Sequence, residues 1–123
     1  KRQIEMVSSY LRSKRNGLRN QTIFLLSVKC GLRSKEISQL SWKELCDSNG
    51  EVDDYIHLTN QTSKGNSGRT IPLHKSVKSN LILLKEEQQK FRSFDIRTSF
   101  VVRTERSPFT TSQTIVNMFQ KWY

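Results

Sequence analysis

The segment of this sequence best suited to chemistry is residues 31–36, which begins with Gly31. Residues 31–36 read GLRSKE, so Arg33 stands directly before a predicted helix that Ser34 can cap. Free backbone N–H groups at a helix start attract phosphate, and a guanidinium beside them adds charge-assisted donors. Glu36 lies in the first turn, where it can orient Arg33 or cap the same helix end. The segment predicts a phosphate-binding corner, although a surface Arg at a helix junction would have the same sequence.

A second basic segment follows in a polar stretch of the chain. Residues 61–68 are polar and contain two glycines, which is typical of a hairpin loop, and Lys64 lies among them. Arg69 comes directly after this loop. A Lys on such a loop can reach into a groove and meet a phosphate or a leaving oxygen atom. A solvated loop Lys is the alternative that the residues alone leave open.

Other chemistries have weaker support. The soft or imidazole metal ligands are Cys30, Cys46, His57 and His74, and no two of them have the spacing of a zinc finger or ribbon. We therefore expect no metal site, while a nucleophilic Cys–His pair stays open without local support. Residues 65–68 (GNSG) lack the Gly-Lys-Ser/Thr ending of a nucleotide-binding loop and lie between two predicted strands, which argues against that function.

Hydrophobic periodicity predicts the helices that must position these residues. Apolar side chains recur at helical spacing over residues 4–11, and residues 23–28 are apolar almost all round, as in a buried helix. Asn20 is the expected cap of that second helix, and Gly31 ends it. Ile37, Leu40 and Trp42 or Leu45 form the expected inward face of the third helix.

After residue 50 the apolar residues recur at every second position, which is the period of a strand. Residues 52–59 alternate, with Ile56 and Leu58 on one face, and residues 69–73 (RTIPL) resume an extended pattern in which Pro72 indicates an edge or a strand end. A short extended segment at 99–102 and two further helices follow, one over residues 77–84 and one opened by a capping box at 110–113. The expected fold class is α+β, mainly helical with one small antiparallel sheet, in a single domain over residues 1–123.

The order and spacing of these segments resemble a known family. Residues 31–42 (GLRSKEISQLSW) resemble the first catalytic box of the tyrosine recombinases, the phage integrase family, which has the form Gly-Leu-Arg-x-x-Glu followed by Leu and often Trp. Residues 42–45 (WKEL) are similar to the family's Trp-x-Asp-Ile. Residues 62–65 (TSKG) and 69–73 (RTIPL) resemble its Lys-bearing hairpin and return strand. The resemblance covers nearly the whole chain and implies part of an integrase-type catalytic domain.

The resemblance also implies a reaction and the residues that perform it. In that family a Tyr hydroxyl attacks the DNA phosphodiester without metal or cofactor, which gives a 3'-phosphotyrosine and a free 5'-hydroxyl. Arg33 is then the first of two catalytic arginines, Glu36 the acidic residue that supports it, and Lys64 the lysine that protonates the leaving 5'-oxygen. Lys35 and Arg69 are expected to contact the DNA together with these basic residues.

The sequence departs from the family pattern in its last third. The family's second box, His-x-Leu-Arg, and the nucleophilic Tyr beyond it are absent, since no His follows His74. Tyr123 precedes the position of the missing box, so we expect it to pack on a helix. The chain is therefore expected to be a catalytic domain truncated at its C-terminus that does not cut DNA by itself.

The composition of the chain limits which binding partners and which cellular compartment are expected. The 123 residues include 21 Lys and Arg against 11 Asp and Glu, a net charge of +10 that favours a polyanionic partner, here double-stranded DNA. The chain has no long apolar run and no signal segment, and its two Cys residues suit a reducing cytoplasm, so no membrane is expected. Self-association on DNA is expected of the full-length protein. The alternatives are a catalytically inactive DNA-binding relative and a basic RNA- or protein-interaction domain.

Overall fold

The computed structural model describes residues 2–59, 69–104, 107 and 109–122. In this part of the chain the fold is mainly helical, with one two-stranded antiparallel sheet, as the sequence predicts. The elements are α1 (Arg2–Arg12), α2 (Gly17–Cys30), α3 (Ser34–Gln39), α4 (Trp42–Leu45), β1 (Tyr55–Leu58), β2 (Arg69–Pro72), α5 (Lys75–Gln88) and α6 (Ser112–Trp122). Lys64 and Tyr123 lie outside the described residues.

Helix α2 forms the centre of the fold. Residues 22–26 are all buried, in agreement with their nearly continuous apolar sequence, and the helix packs against α1, α3 and α5. Helix α5 contributes Val77, Leu81 and Leu84 to the same core. Burial of one such side chain stabilises the fold by about 1.5–3 kcal/mol. This core therefore holds the end of α2, from which the chain continues into α3, in place.

Trp42, the first residue of α4, is fully buried. Its indole Nε1 donates a hydrogen bond of 2.9 Å to Oε1 of Gln88, and its ring meets Phe94 edge-to-face with centroids 6.5 Å apart. The Gln88 amide also donates to the carbonyl oxygen of Val101. The polar atom of this large side chain is therefore satisfied inside the core, as a buried indole requires.

Strands β1 and β2 pair antiparallel, with Leu58 opposite Arg69 and Tyr55 opposite Pro72. Ile56 and Leu58 are buried while Tyr55 and His57 are exposed, so the predicted alternation of β1 is confirmed. Pro72 ends β2, which agrees with its inability to donate to a ladder. The hairpin is held on the helical layer because β1 packs against α4.

Two helix starts differ from the sequence prediction. Helix α2 begins at Gly17 instead of being capped by Asn20, since Asn16 adopts the left-handed conformation (φ 58°) and its carbonyl accepts from the Asn20 N–H at 2.9 Å. The residue that precedes α3 is Arg33, and Ser34 is already helical. Local capping preferences misplace both starts because close packing of α1 on α2, and the turn at Gly31, set where the chain enters each helix.

The C-terminal region also begins its helix one residue later than the capping pattern suggests. Thr111 Oγ1 accepts from the Thr114 N–H at 3.2 Å, whereas Thr110 is buried. In the predicted extended segment, Phe100 pairs with Ser41 in an isolated bridge, and Val101 and Val102 are buried. No helix among the described residues is long and apolar enough to span a membrane.

Candidate functional site

The corner between α2 and α3 is built by a glycine. Gly31 ends α2 in the left-handed conformation (φ 71°), and its N–H donates to the carbonyl of Ser27 at 3.1 Å. That bond is the one of the αL type of helix ending, and the next N–H, that of Leu32, donates to the carbonyl of Leu26 at 3.2 Å. The Leu32 side chain is buried. The chain turns here, and the following residue, Arg33, is exposed.

Arg33 occupies the position before α3 with an exposed side chain and an extended backbone (φ −83°, ψ 159°). Its backbone N–H donates to Oε1 of Glu36 at 2.9 Å. The predicted capping by Glu36 of this helix end is therefore present. The bond is made by the main chain of Arg33, so its position is set while its guanidinium remains at the surface. Lys35, on the first turn of α3, is exposed as well.

Glu36 joins this corner to the sheet. Its side chain is 3% exposed, and its two oxygens receive the guanidinium of Arg69, with Nη1 at 2.8 Å from Oε2 and Nη2 at 3.1 Å from Oε1. This fork-to-fork geometry is the strongest form of the Arg–carboxylate pair. The structure thus brings Arg33, Glu36 and Arg69 together, although their residue numbers span 33 to 69.

A second buried carboxylate lies one helix later. Glu44 in α4 is 5% exposed, and its Oε1 accepts from the backbone N–H of Ser41 at 3.0 Å and from the Ser41 hydroxyl at 3.1 Å. Its Oε2 accepts from the backbone N–H of Thr59 at 3.0 Å. Glu44 is not among the site residues that the sequence predicts. The Ser-x-x-Glu pattern at 41–44, a capping box, was the available signal.

Thr59 and Arg69 border the segment 60–68. Thr59 directly follows β1, and Arg69 opens β2 opposite Leu58. Lys64 belongs to this segment, outside the described residues, so its predicted position stays a prediction. Thr59 and Arg69, the described residues on either side of the segment, each contact a buried glutamate of the helical layer.

This arrangement of a Gly-Leu-Arg corner, a buried Glu and an antiparallel hairpin agrees with the family that the sequence resembles. The chain matches the phage integrase family over residues 1–123. It belongs to that family, the tyrosine recombinases. No curated protein and no solved structure is significantly similar to it.

Other titratable groups of this tyrosine recombinase chain bear on the nucleophilic and metal chemistry considered from the sequence. Burial raises the pKa of both thiols, Cys30 and Cys46, which disfavours the reactive thiolate. Directly before β1, hydrogen bonds from the Asp54 N–H and from the imidazole of His57 lower the pKa of Asp53. Within the described ranges, no three His, Cys, Asp or Glu side chains are grouped so that they could hold a metal ion.

Proposed function

We propose that this chain is the DNA-binding first part of the catalytic domain of a site-specific recombinase. In the full-length protein, DNA is cut and rejoined through a 3'-phosphotyrosine intermediate, and the nucleophilic Tyr is supplied outside this chain. The observation that carries the proposal is the exposed Arg33, whose backbone N–H is bonded to the buried Glu36 at the corner between α2 and α3 of a tyrosine recombinase fold.

In this proposal Arg33 donates to the non-bridging oxygens of the scissile phosphate. Negative charge develops there as the Tyr oxygen attacks, and a donor that is already in place lowers the barrier because it need not reorganise. The main-chain hydrogen bonds on both sides of Arg33 support this role, since the turn at Gly31 is bonded to α2 and the Arg33 N–H is bonded to Glu36.

Glu36 and Arg69 have linked roles in the proposal. Glu36 holds the corner, and it holds Arg69 by two contacts, so Arg69 reaches DNA with the part of its guanidinium that Glu36 leaves open. The Arg69 side chain is 39% exposed, which is compatible with such a contact. Lys35, which is exposed on α3, adds a further cation beside Arg33. Lys64 is assigned as the acid that protonates the leaving 5'-oxygen.

Arg33→Ala in the full-length protein tests the proposal. Loss of one preorganised donor is expected to slow formation of the covalent protein–DNA adduct about a hundred- to a thousandfold. The fold and most of the DNA affinity should persist, because Arg33 fills no core volume and makes one phosphate contact among several. Adduct formation is measured on a nicked duplex that traps the intermediate, with circular dichroism as the check of folding.

Arg97→Ala is the matched control, since it removes the same charge from a turn where Arg97 is 84% exposed. Normal adduct formation by Arg33→Ala, or unfolding of that variant, would contradict the assignment. A wild-type protein that binds duplex DNA and forms no adduct would instead support a catalytically inactive DNA-binding relative.

A further inference from the structure

A groove runs between α1 and α6, with α2 as part of its floor, and we call it the α1–α6 groove. The apolar side chains that line it are Ile4, Met6, Val7, Phe24, Val28 and Trp122. It has two adjoining parts with volumes of about 340 and 630 Å³, and Met6, Val7 and Trp122 line both of them. The groove therefore extends beside most of α1, an 11-residue helix about 16 Å long.

Two apolar side chains of the α1–α6 groove are exposed. Met6 is 66% exposed and Tyr10 is 61% exposed, the highest values among the large hydrophobic residues that the structure describes. They lie four residues apart on α1, so they stand one above the other on the same face of the helix. Exposed Met and aromatic side chains beside an apolar floor are typical of a surface that binds another protein.

The charge of the groove is positive at one end. Lys14, Arg15 and Lys121 line the part beside Tyr10, and none of the described residues that line either part is acidic. The Lys14 ammonium lies 5.0 Å from the centre of the Tyr10 ring, which keeps this cation at the edge of the groove. An occupant therefore needs apolar side chains for the floor and carboxylates for this end.

The chemistry of the groove distinguishes between the occupants. Duplex DNA offers phosphates, but it has no apolar side chains to fill a floor of this kind. A second copy of this chain carries the same net charge of +10, which opposes contact between two such surfaces. An amphipathic helix with an acidic face meets both requirements, because its apolar side chains three and four residues apart fit a groove and its carboxylates pair with the cations.

We propose that the α1–α6 groove is a docking site for an acidic amphipathic helix of a partner protein. The apolar face of that helix packs on Val7, Phe24 and Trp122, and its carboxylates lie at the cationic end. This inference does not rest on the proposed function, because neither Arg33 nor Arg69 lines the groove.

Fluorescence anisotropy with the full-length protein and two labelled peptides tests the docking site. Both peptides have about 15 residues, or about four helical turns, with Leu along one face. The other face carries Glu in one peptide and Lys in the second. The Glu peptide should bind about tenfold or more tightly than the Lys peptide, because cations line the groove. Equal binding of the two peptides, or no binding of the Glu peptide, overturns the proposal.

Met6→Asp tests whether the peptide lies in the groove. It places a carboxylate on the apolar lining, so it should weaken binding of the Glu peptide about tenfold or more. Ile82→Asp is the matched control, since Ile82 is an apolar residue of α5 that is 41% exposed, and it should leave binding unchanged. Circular dichroism checks that both variants fold. If the two variants weaken binding equally, the peptide does not occupy the groove and the proposal is wrong.

Lys14→Glu combined with Lys121→Glu tests the charge without changing the apolar floor, so it provides a second variant should Met6→Asp fail to fold. The groove then carries two carboxylates beside Arg15, and the preference should reverse in favour of the Lys peptide. Lys90→Glu, at an exposed position after α5, should keep the preference for the Glu peptide. An unchanged preference in the double variant overturns the proposal.

The other occupants are tested with Met6→Asp as well. Sedimentation equilibrium of the full-length protein measures self-association, and flotation with phosphatidylserine vesicles measures binding to an anionic membrane. A dimer, or vesicle binding, that is present in the wild type and lost in Met6→Asp but kept in Ile82→Asp would assign the groove to that occupant and overturn the proposal. A wild-type protein that is monomeric and does not float with the vesicles supports it.

Discussion

At the scale of single residues, the pair formed by Glu36 and Arg69 is asymmetric. The Glu36 side chain is 3% exposed, whereas that of Arg69 is 39% exposed. A buried charge that loses its partner costs far more than an exposed one, which water can solvate. The two members of this ion pair are therefore not equivalent when one of them is removed.

Arg69→Ala is expected to lower the free energy of unfolding by about 3 kcal/mol, because it leaves the Glu36 carboxylate buried with fewer partners. Glu36→Gln should cost less, about 1–2 kcal/mol, since Arg69 can then turn to water and the Gln oxygen can still accept from Arg33. Urea denaturation at neutral pH measures both values.

Arg97→Ala serves as the control for this comparison. The Arg97 Nε lies 3.6 Å from Oδ1 of Asp95, and both side chains of the pair are exposed, 84% and 42%. Its loss should change stability by about 0.5 kcal/mol or less. If Arg69→Ala proves no more destabilising than Glu36→Gln, Glu36 is better solvated than its position indicates.

At the scale of elements, the corner between α1 and α2 depends on the absence of a side chain. A Cβ on Gly17 would overlap the backbone carbonyl groups of Arg12 and Leu11. Helix α1 therefore ends in direct contact with the start of α2. The left-handed Asn16 turns the chain between them, a conformation that Asn tolerates better than most residues.

Gly17→Ala should destabilise the protein by about 1–3 kcal/mol, because backbone atoms must move to admit the methyl group. Helix propensity alone predicts the opposite sign, a gain of about 1 kcal/mol for Ala over Gly. Thermal unfolding followed by circular dichroism decides between these signs.

Gly31→Ala is the comparison variant for the same substitution. A Cβ at Gly31 would meet nothing within 4 Å, so the substitution is disfavoured only by the positive φ of 71°. That conformation should lower the free energy of unfolding of the Ala variant by about 1–2 kcal/mol. A Gly17→Ala variant as stable as the wild type would mean that α1 can shift away from α2 freely.

At the scale of the whole molecule, charge dominates any interaction with a polyanion. The net charge is +10, and the exposed or partly exposed cations at the proposed site come from α3, the residue before it, and β2. Counterions released from DNA make such binding depend strongly on salt.

Binding of the 123-residue chain to duplex DNA should weaken linearly in log affinity against log salt, with each contacted phosphate contributing about −0.9 to the slope. Arg33→Ala should reduce the size of that slope by about 1, because it removes one phosphate contact. Fluorescence anisotropy over a series of salt concentrations measures the slope. A slope near zero would show that binding involves no phosphate contacts, and a slope equally reduced by Arg97→Ala would show that Arg33 belongs to no defined binding face.

Much of the fold was predictable from the sequence because its signals are local. The apolar run of α2, the alternation of β1 and the left-handed Gly31 each depend on a few neighbouring residues, and the structure confirms them. The first box, with Arg33, was recognisable for the same reason: its spacing within one segment defines it.

The partners of the buried polar groups were decided by tertiary structure alone. Glu36 meets Arg69 across 33 residues, Trp42 meets Gln88 across 46, and Glu44 meets Thr59 across 15. Hydrophobic periodicity says which face of an element is buried, but it does not say which polar atom lies opposite. That choice is made when helices and hairpin pack, because each buried donor or acceptor must then find a partner within about 3 Å.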